Sequence, residues 1–161
     1  LWTPWRLAYV SGSGQTDGCV FCQALAESEA EPLIVFRGGT CFVILNLFPY
    51  NNAHLMIVPN RHVATFGDMT VEERHELIDL AQLSEAAITE VYAPHGMNLG
   101  INLGKPAGAG VPGHLHMHVV PRWNGDTNFM TVIGQTRVLP EELPQTAEKL
   151  RPVFQRLAHA R

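Results

Sequence analysis

The feature that most constrains this chain is one decapeptide, His114-Leu115-His116-Met117-His118-Val119-Val120-Pro121-Arg122-Trp123. Three histidines alternate with apolar residues, and an alternation of period two is a half-buried β-strand. His114, His116 and His118 then share one face, with Leu115, Met117 and Val119 on the other. Side chains two apart on a strand sit roughly 6.6 Å from each other. Three imidazoles so spaced make a metal site or a reaction centre, whereas a solvated sheet face would not gather them. The strand is therefore expected to carry function rather than stability.

Length and composition set the frame. A chain of 161 residues, 46% hydrophobic and 16% charged, fits one globular domain with a real core. The domain is read as an arm and loop over 1–18, a core over 19–130 and a C-terminal extension over 131–161. A net charge of −4 argues against a nucleic-acid footprint and leaves room for a small anionic ligand in a local site. No cationic segment precedes an apolar run, so no secretory leader is read. The sequence opens at Leu1 without an initiator methionine, so further residues are expected before it. Residues 38–60 carry no formal charge, but Asn46, Pro49, Asn51, Asn52 and His54 interrupt them. Two strands and a turn fit that run better than a membrane span. Three cysteines, Cys19, Cys22 and Cys41, are not a disulfide framework. Cys41 reads as a small core residue, and the setting as reducing and cytoplasmic.

The remaining elements follow from periodicity. A Gly/Ser-rich loop over 11–18 leads to Cys19-Val20-Phe21-Cys22 and a short helix to about Glu29. Residues 33–36 and 40–46 read as strands joined by Gly38-Gly39, and 54–59 as a third. Thr70 and Glu73 form a capping box for a helix ending at Tyr92. Its apolar stripe is Leu77, Leu80, Ala81, Ser84, Ala87, Ile88 and Val91. His75 sits among Glu72, Glu73, Arg74 and Glu76 on what reads as a solvated face. Residues 97–103 form a strand, and 104–113 a glycine-rich loop. Residues 141–158 are helical but broken by Pro144 and Pro152. Hairpin-linked strands with one long helix indicate an α+β class and a largely antiparallel sheet.

Imidazole titrates near ~6.5, so at neutral pH it serves as nucleophile, base or acid. A nucleophilic histidine splits a hard displacement into two easier ones through a covalent intermediate. It needs a neighbour to orient it and donors aimed at the developing oxyanion. The loop before the histidines supplies candidate donors, because its glycines let backbone N–H groups approach an anion. On their own, His54 reads as a buried structural histidine and Asn46 as a turn residue. Lys105 reads as a solvated loop lysine, and His95 and His159 receive no role.

The heptapeptide from His114 to Val120 resembles the motif His-φ-His-φ-His-φ-φ, φ being apolar, of the histidine triad (HIT) superfamily. The run from Asn46 to Pro59 resembles the family's nucleotide-binding strand pair, and 102–123 its phosphate loop and triad. The continuation from Pro121 to Phe129 is similar to the branch of fragile-histidine-triad hydrolases and bacterial diadenosine tetraphosphate phosphorylases. The opening Leu1-Trp2-Thr3-Pro4-Trp5-Arg6 is similar to the phosphorylases. The resemblance implies a HIT-like fold with a five-stranded sheet, one long helix and a short N-terminal helix. It implies that His116 is the nucleophile on an α-phosphate, forming a nucleotidyl-histidine. His118 and His54 would complete the cluster that orients it and handles leaving-group protons. Asn46 would meet ribose hydroxyls and Ile44 the base, while Asn102 and the amides of Gly108, Ala109 and Gly110 would hold phosphate. Related enzymes carry Gln, Ser or Thr where this chain has Gly110 and Val111, so backbone donors must bind the acceptor here.

The Cys19–Cys22 spacing is that of a zinc knuckle. The resemblance implies a structural zinc ion on Cys19, Cys22, His62 and His114, tying the N-terminal arm to the catalytic strand. A reduced thiol pair in the core and a redox pair are the other readings of the spacing, and the latter lacks a thioredoxin-like βαβ context.

The implied activity is cleavage of dinucleoside polyphosphates at the α-phosphate, with water or inorganic phosphate as acceptor. The substrate would arrive as a magnesium complex, and no organic cofactor is called for. Phosphoramidate hydrolysis, a nucleotide-binding regulatory module without turnover, and a zinc enzyme using His114, His116 and His118 as ligands are the alternatives. The partners expected are the nucleotide and a second copy of the chain, with the long helix near the dimer contact; no nucleic acid and no membrane are expected.

Overall fold

The computed structural model describes residues 18–27, 33–126 and 139–160. The expected arm over 1–17, and Thr127 to Phe129 of the motif continuation, lie outside them. Helix α1 (Val20–Ala26) precedes strands β1 (Ile34–Arg37), β2 (Cys41–Leu45) and β3 (Leu55–Pro59). Helix α2 (Val71–Tyr92), strands β4 (Gly96–Ile101) and β5 (Met117–Arg122), and helix α3 (Leu143–His159) follow. The sheet is antiparallel throughout, in the order β1-β2-β3-β5-β4.

Both sheet faces are covered over β2 and β3, which is why every residue of these strands is buried. Cys41, Val43, Leu45, Leu55, Ile57, Leu115, Met117 and Val119 face a core shared with Leu77, Leu80, Ala87 and Ile88 of α2. Phe42, Ile44, Met56 and Val58 face the other way, against Phe21 and Ala24 of α1. The period-two alternation thus sorts hydrophobics between two layers, and the histidines share the α1 side. No helix among the described residues is long and apolar enough to cross a membrane.

Helix α2 begins as its sequence dictates. The Thr70 hydroxyl accepts the Glu73 amide, and the Glu73 carboxylate accepts the Thr70 amide. It ends at Ala93, which takes a left-handed conformation ahead of Pro94.

Three expectations need correction. The face around His75 is not all solvated. Glu73 is buried and paired with Arg61 at 2.6 Å. Glu76 accepts the amides of Gly39 (2.7 Å), Thr40 (2.5 Å) and Cys41 (2.8 Å) and the Thr40 hydroxyl (2.5 Å), because the β1–β2 hairpin tip lands on it. Helix α3 is unbroken: Pro144 stands in the first turn, where amides have no intrahelical partner, and Pro152 is exposed, so the carbonyl it leaves open meets water. Ala147, Leu150 and Phe154 of α3 are buried in the same core as α2, and Phe154 stacks on Phe36. Finally, β5 starts only at Met117. The segment before it leaves the ladder, the Leu115 amide bonding to the Val63 carbonyl at 2.7 Å, yet the alternation of faces persists.

Candidate active site and metal cluster

His116 and His118 lie side by side, ring centroids 4.9 Å apart. His116 is 4% exposed, packed against the Phe21 ring. Its Nδ1 is 2.9 Å from the His114 carbonyl. A carbonyl only accepts, so Nδ1 carries the proton and Nε2 keeps its lone pair. Burial depresses the basicity of His116, which favours this neutral form.

The neighbouring tautomers follow from one backbone group. The Tyr50 amide donates to His54 Nδ1 at 3.0 Å, so that nitrogen is bare. Asn46 Nδ2 approaches the same atom at 3.4 Å. The proton of His54 is therefore on Nε2, which donates to His118 Nδ1 at 2.9 Å. His118 in turn carries its proton on Nε2. Burial, with His116 beside it, lowers His118 to about 4. The Tyr50 ring covers both, 4.8 Å from His54 and 6.0 Å from His118.

His118 opens onto a cleft of about 280 Å³ lined by Tyr50, Asn51, Asn98, Asn102 and Arg122 among others. Ile44, Met56 and His118 stand in register across β2, β3 and β5. Two strand spacings put Ile44 about 10 Å from His118. Asn46 directly follows β2, and its Oδ1 accepts the Phe48 amide at 2.9 Å, closing a turn.

The glycine-rich loop is less open than its sequence implies. The Gly108 amide bonds to the Lys105 carbonyl and the Ala109 amide to the Gly104 carbonyl, at 2.9 and 3.2 Å. Gly104 and Gly108 adopt φ of 80° and 93°, which fit glycine and shape this turn. Of the three expected amides, Gly110 alone makes no backbone bond among the described residues.

Cys19, Cys22, His62 and His114 converge, their ligand atoms all within 4.8 Å of one another. Cys19 Sγ lies 3.2 Å and Cys22 Sγ 3.6 Å from His114 Nδ1, and Cys22 Sγ 3.4 Å from His62 Nδ1. A tetrahedron with zinc–sulfur bonds of ~2.3 Å and zinc–nitrogen bonds of ~2.0 Å has sulfur–nitrogen edges of about 3.5 Å. The donor set therefore fits zinc. The Nε2–H of His114 donates to the Pro59 carbonyl at 2.9 Å, which leaves Nδ1 bare as a ligand atom. This cluster is separate from His116 and His118, so the three triad histidines do not form a joint His₃ metal site.

The HIT domain family model matches residues 27–125. The chain belongs to the HIT family. A relative from Mycobacterium tuberculosis named AP-4-A phosphorylase is 42% identical over 158 residues, covering 93% of this chain and 81% of its own length. Another, bis(5'-adenosyl)-triphosphatase of Dictyostelium discoideum, is 30% identical over 128 residues, covering 76% of this chain and 85% of its own. Among solved structures, a zinc-bound histidine triad family protein from Mycobacterium smegmatis superposes with a TM-score of 0.71 at 27% identity. It covers 89% of this chain and 98% of the neighbour. The five-stranded antiparallel sheet matches the HIT fold implied by the triad motif.

Sequence reasoning missed Tyr50, whose amide fixes the tautomers, and the contacts of Asn51, Arg122 and Asp126 around the cleft. Asn51 and Tyr50 sit in a polar turn with no periodic signal. Only the Asp126 spacing from Arg122, four residues, hinted at a pair.

Proposed function

We propose that this HIT protein is a nucleotidyl hydrolase or transferase that cleaves dinucleoside polyphosphates at the α-phosphate. The observation that carries the reading is the pair of adjacent neutral histidines with opposite tautomers, one offering a lone pair and the other a proton. His116 Nε2 attacks the α-phosphorus, and the anhydride bond to the bridging oxygen breaks. The departing polyphosphate takes the electron pair, and the His118 Nε2–H donates a hydrogen bond to its oxygen. The Nδ1 proton stays on His116, held by the His114 carbonyl, while the nucleotidyl-histidine exists. Water or inorganic phosphate then attacks the phosphorus, releases the nucleotide and returns His116 to its neutral form; a proton from water goes to solvent.

Ile44 meets the base, Asn46 the ribose, and Asn102 with the Gly108–Gly110 turn the phosphates. The inward bonds of the Gly108 and Ala109 amides direct most of that work to Asn102 and Gly110. The polyphosphate enters as its magnesium complex, and this chemistry asks for no organic cofactor. Cys19, Cys22, His62 and His114 would hold a zinc ion whose part is structural, since four protein ligands leave no position for a reacting water. We read residues 1–161 as one domain of a cytoplasmic homodimer. The buried stripe of α2 is taken up by its own sheet, so a dimer contact on this helix would use its outer face, where Val71 and Ile78 are 50% and 59% exposed.

The test is product analysis with diadenosine tetraphosphate, with and without phosphate, beside His116→Ala. AMP plus ATP identifies water as acceptor, and ADP plus ATP only with phosphate identifies phosphorolysis. The variant is expected to fold and to lose about a thousandfold or more in turnover. No cleavage by the wild type, or full activity of His116→Ala, refutes the reading.

A further inference from the structure

Asp126 lies beyond the triad and outside the chemistry just described, yet among the described residues its carboxylate gathers four donors. Arg122 gives it Nε and Nη2 at 2.6 and 2.8 Å, Asn51 gives Nδ2 at 2.8 Å, and the Trp123 amide closes the turn at 3.1 Å. Its side chain is 10% exposed. The Asn51 amide also donates to the Pro121 carbonyl at 3.1 Å. Asn51 thus staples the turn before β3 onto the end of β5.

The staple sits one residue from the group that sets the tautomers. Tyr50 precedes Asn51, and its amide is the donor to His54 Nδ1. The contacts close a ring. From His118 the path follows β5 to Pro121 and Asp126, crosses to Asn51, steps back to Tyr50, and returns through His54 to His118. A ring so closed has little freedom at any one link.

We propose that Asn51 and Asp126 are positioning residues for nucleotidyl transfer, resting on the functional reading above. They hold the Tyr50 amide against His54 Nδ1 and so keep the exchangeable proton of His118 on Nε2. The proton accounting is direct. With the Tyr50 amide withdrawn, His54 Nδ1 loses its 3.0 Å donor, the Asn46 Nδ2 contact at 3.4 Å being longer and weaker, and the Nδ1–H form becomes populated beside the Nε2–H form. In the Nδ1–H form a neutral His54 has a bare Nε2 facing His118 Nδ1. His118 answers by moving its proton to Nδ1, and its Nε2 becomes a lone pair opposite the departing oxygen. One donor to the leaving group is lost while no atom of the nucleophile has moved.

The experiment uses the full chain with ¹⁵N-labelled histidine, in wild type, Asn51→Ala, Asn51→Asp, Asp126→Ala and the double alanine variant. Nitrogen chemical shifts separate protonated from bare ring nitrogens, and His54→Asn and His118→Asn assign the signals. The wild type is expected to show His54 and His118 as Nε2–H tautomers. Asn51→Ala should mix the two tautomers and lower kcat about 10- to 100-fold, with KM within about twofold. Asn51→Asp keeps the size but sets two carboxylates together, and should be no better than alanine. The double variant should be no worse than Asn51→Ala, because both act through one link. An unchanged His54 signature in Asn51→Ala overturns the proposal, as does a changed one with wild-type kcat. If Asp126→Ala fails to fold, Asn51→Ala decides alone. If the wild type cleaves no dinucleoside polyphosphate, the functional reading has failed, and the nitrogen shifts still decide the coupling.

Discussion

The low basicity of the paired histidines has a consequence for the pH dependence of kcat/KM. The proposed mechanism uses neutral His116 as nucleophile and neutral His118 as donor, so on that reading protonating either on the acid side stops turnover. A solvated histidine titrates near 6.5, and at pH 5.5 only about one-tenth of it is neutral. One such group would cost tenfold in rate on going from pH 7.5 to 5.5. His118, lowered by burial and by His116 to about 4, stays all but about 3% neutral at pH 5.5. His116, lowered by burial, moves the same way. The dinucleoside polyphosphate has no terminal phosphate, so the substrate itself does not titrate in this range. The expected result is a kcat/KM for diadenosine tetraphosphate that falls by clearly less than about tenfold between pH 7.5 and 5.5, measured with zinc supplied. An acid limb with its midpoint near 6.5 would refute the neutral-pair reasoning. A rate that rises steadily on acidification would mean that His118 works as an imidazolium acid.

Other expectations test separate parts of the molecule. Cys19→Ser and Cys22→Ser should each lose bound zinc on elemental analysis and lower the melting temperature; zinc absent from wild type grown with zinc would end the metal assignment. Glu76→Ala should cost about 3 kcal/mol, counting about 1 kcal/mol for each of its three partly buried bonds, and so lower Tm by about 6–12 °C, against little change in the exposed control Glu85→Ala. Burial raises the Glu76 carboxyl, but the Thr40 hydroxyl and the hairpin amides outweigh it and hold the group below the usual carboxylate value. The stability it confers is thus full above that value and fades as pH falls through the folded pKa, so the gap from Glu76→Ala should narrow in acid. Equal melting of wild type and variant at pH 7 would count against this bracing role.

Much of the fold was written locally. The capping box of Thr70 and Glu73, the stripe from Leu77 to Ile88 and the alternation through Val119 each depend on neighbours a few residues away. They were legible for that reason. What escaped depends on contacts between distant segments. Glu76 looks like a solvent charge until the hairpin tip, 36 residues earlier at Thr40, arrives beside it. Pro152 looks like a helix breaker until packing of Leu150 and Phe154 fixes which side of α3 faces water. The triad and the Cys-x-x-Cys spacing announced their residues, and the structure brings His54 to His118 and His62 to Cys22. The direction of each proton could not be read from sequence, because it is set by carbonyls and amides, groups every residue possesses.

The alternation around the triad also governs which changes in length this protein can absorb. Leu115, Met117 and Val119 enter the helix-side core while His114, His116 and His118 point the other way. Inserting or deleting one residue between 114 and 119 would flip the residues on one side of the change, driving imidazoles into the hydrocarbon layer and apolar side chains toward the cleft beside His118. The loop over 104–113 has no such parity, since its tip residues are largely exposed. The loop over 104–113 can therefore take up a change in length, whereas the segment that follows it must keep its frame.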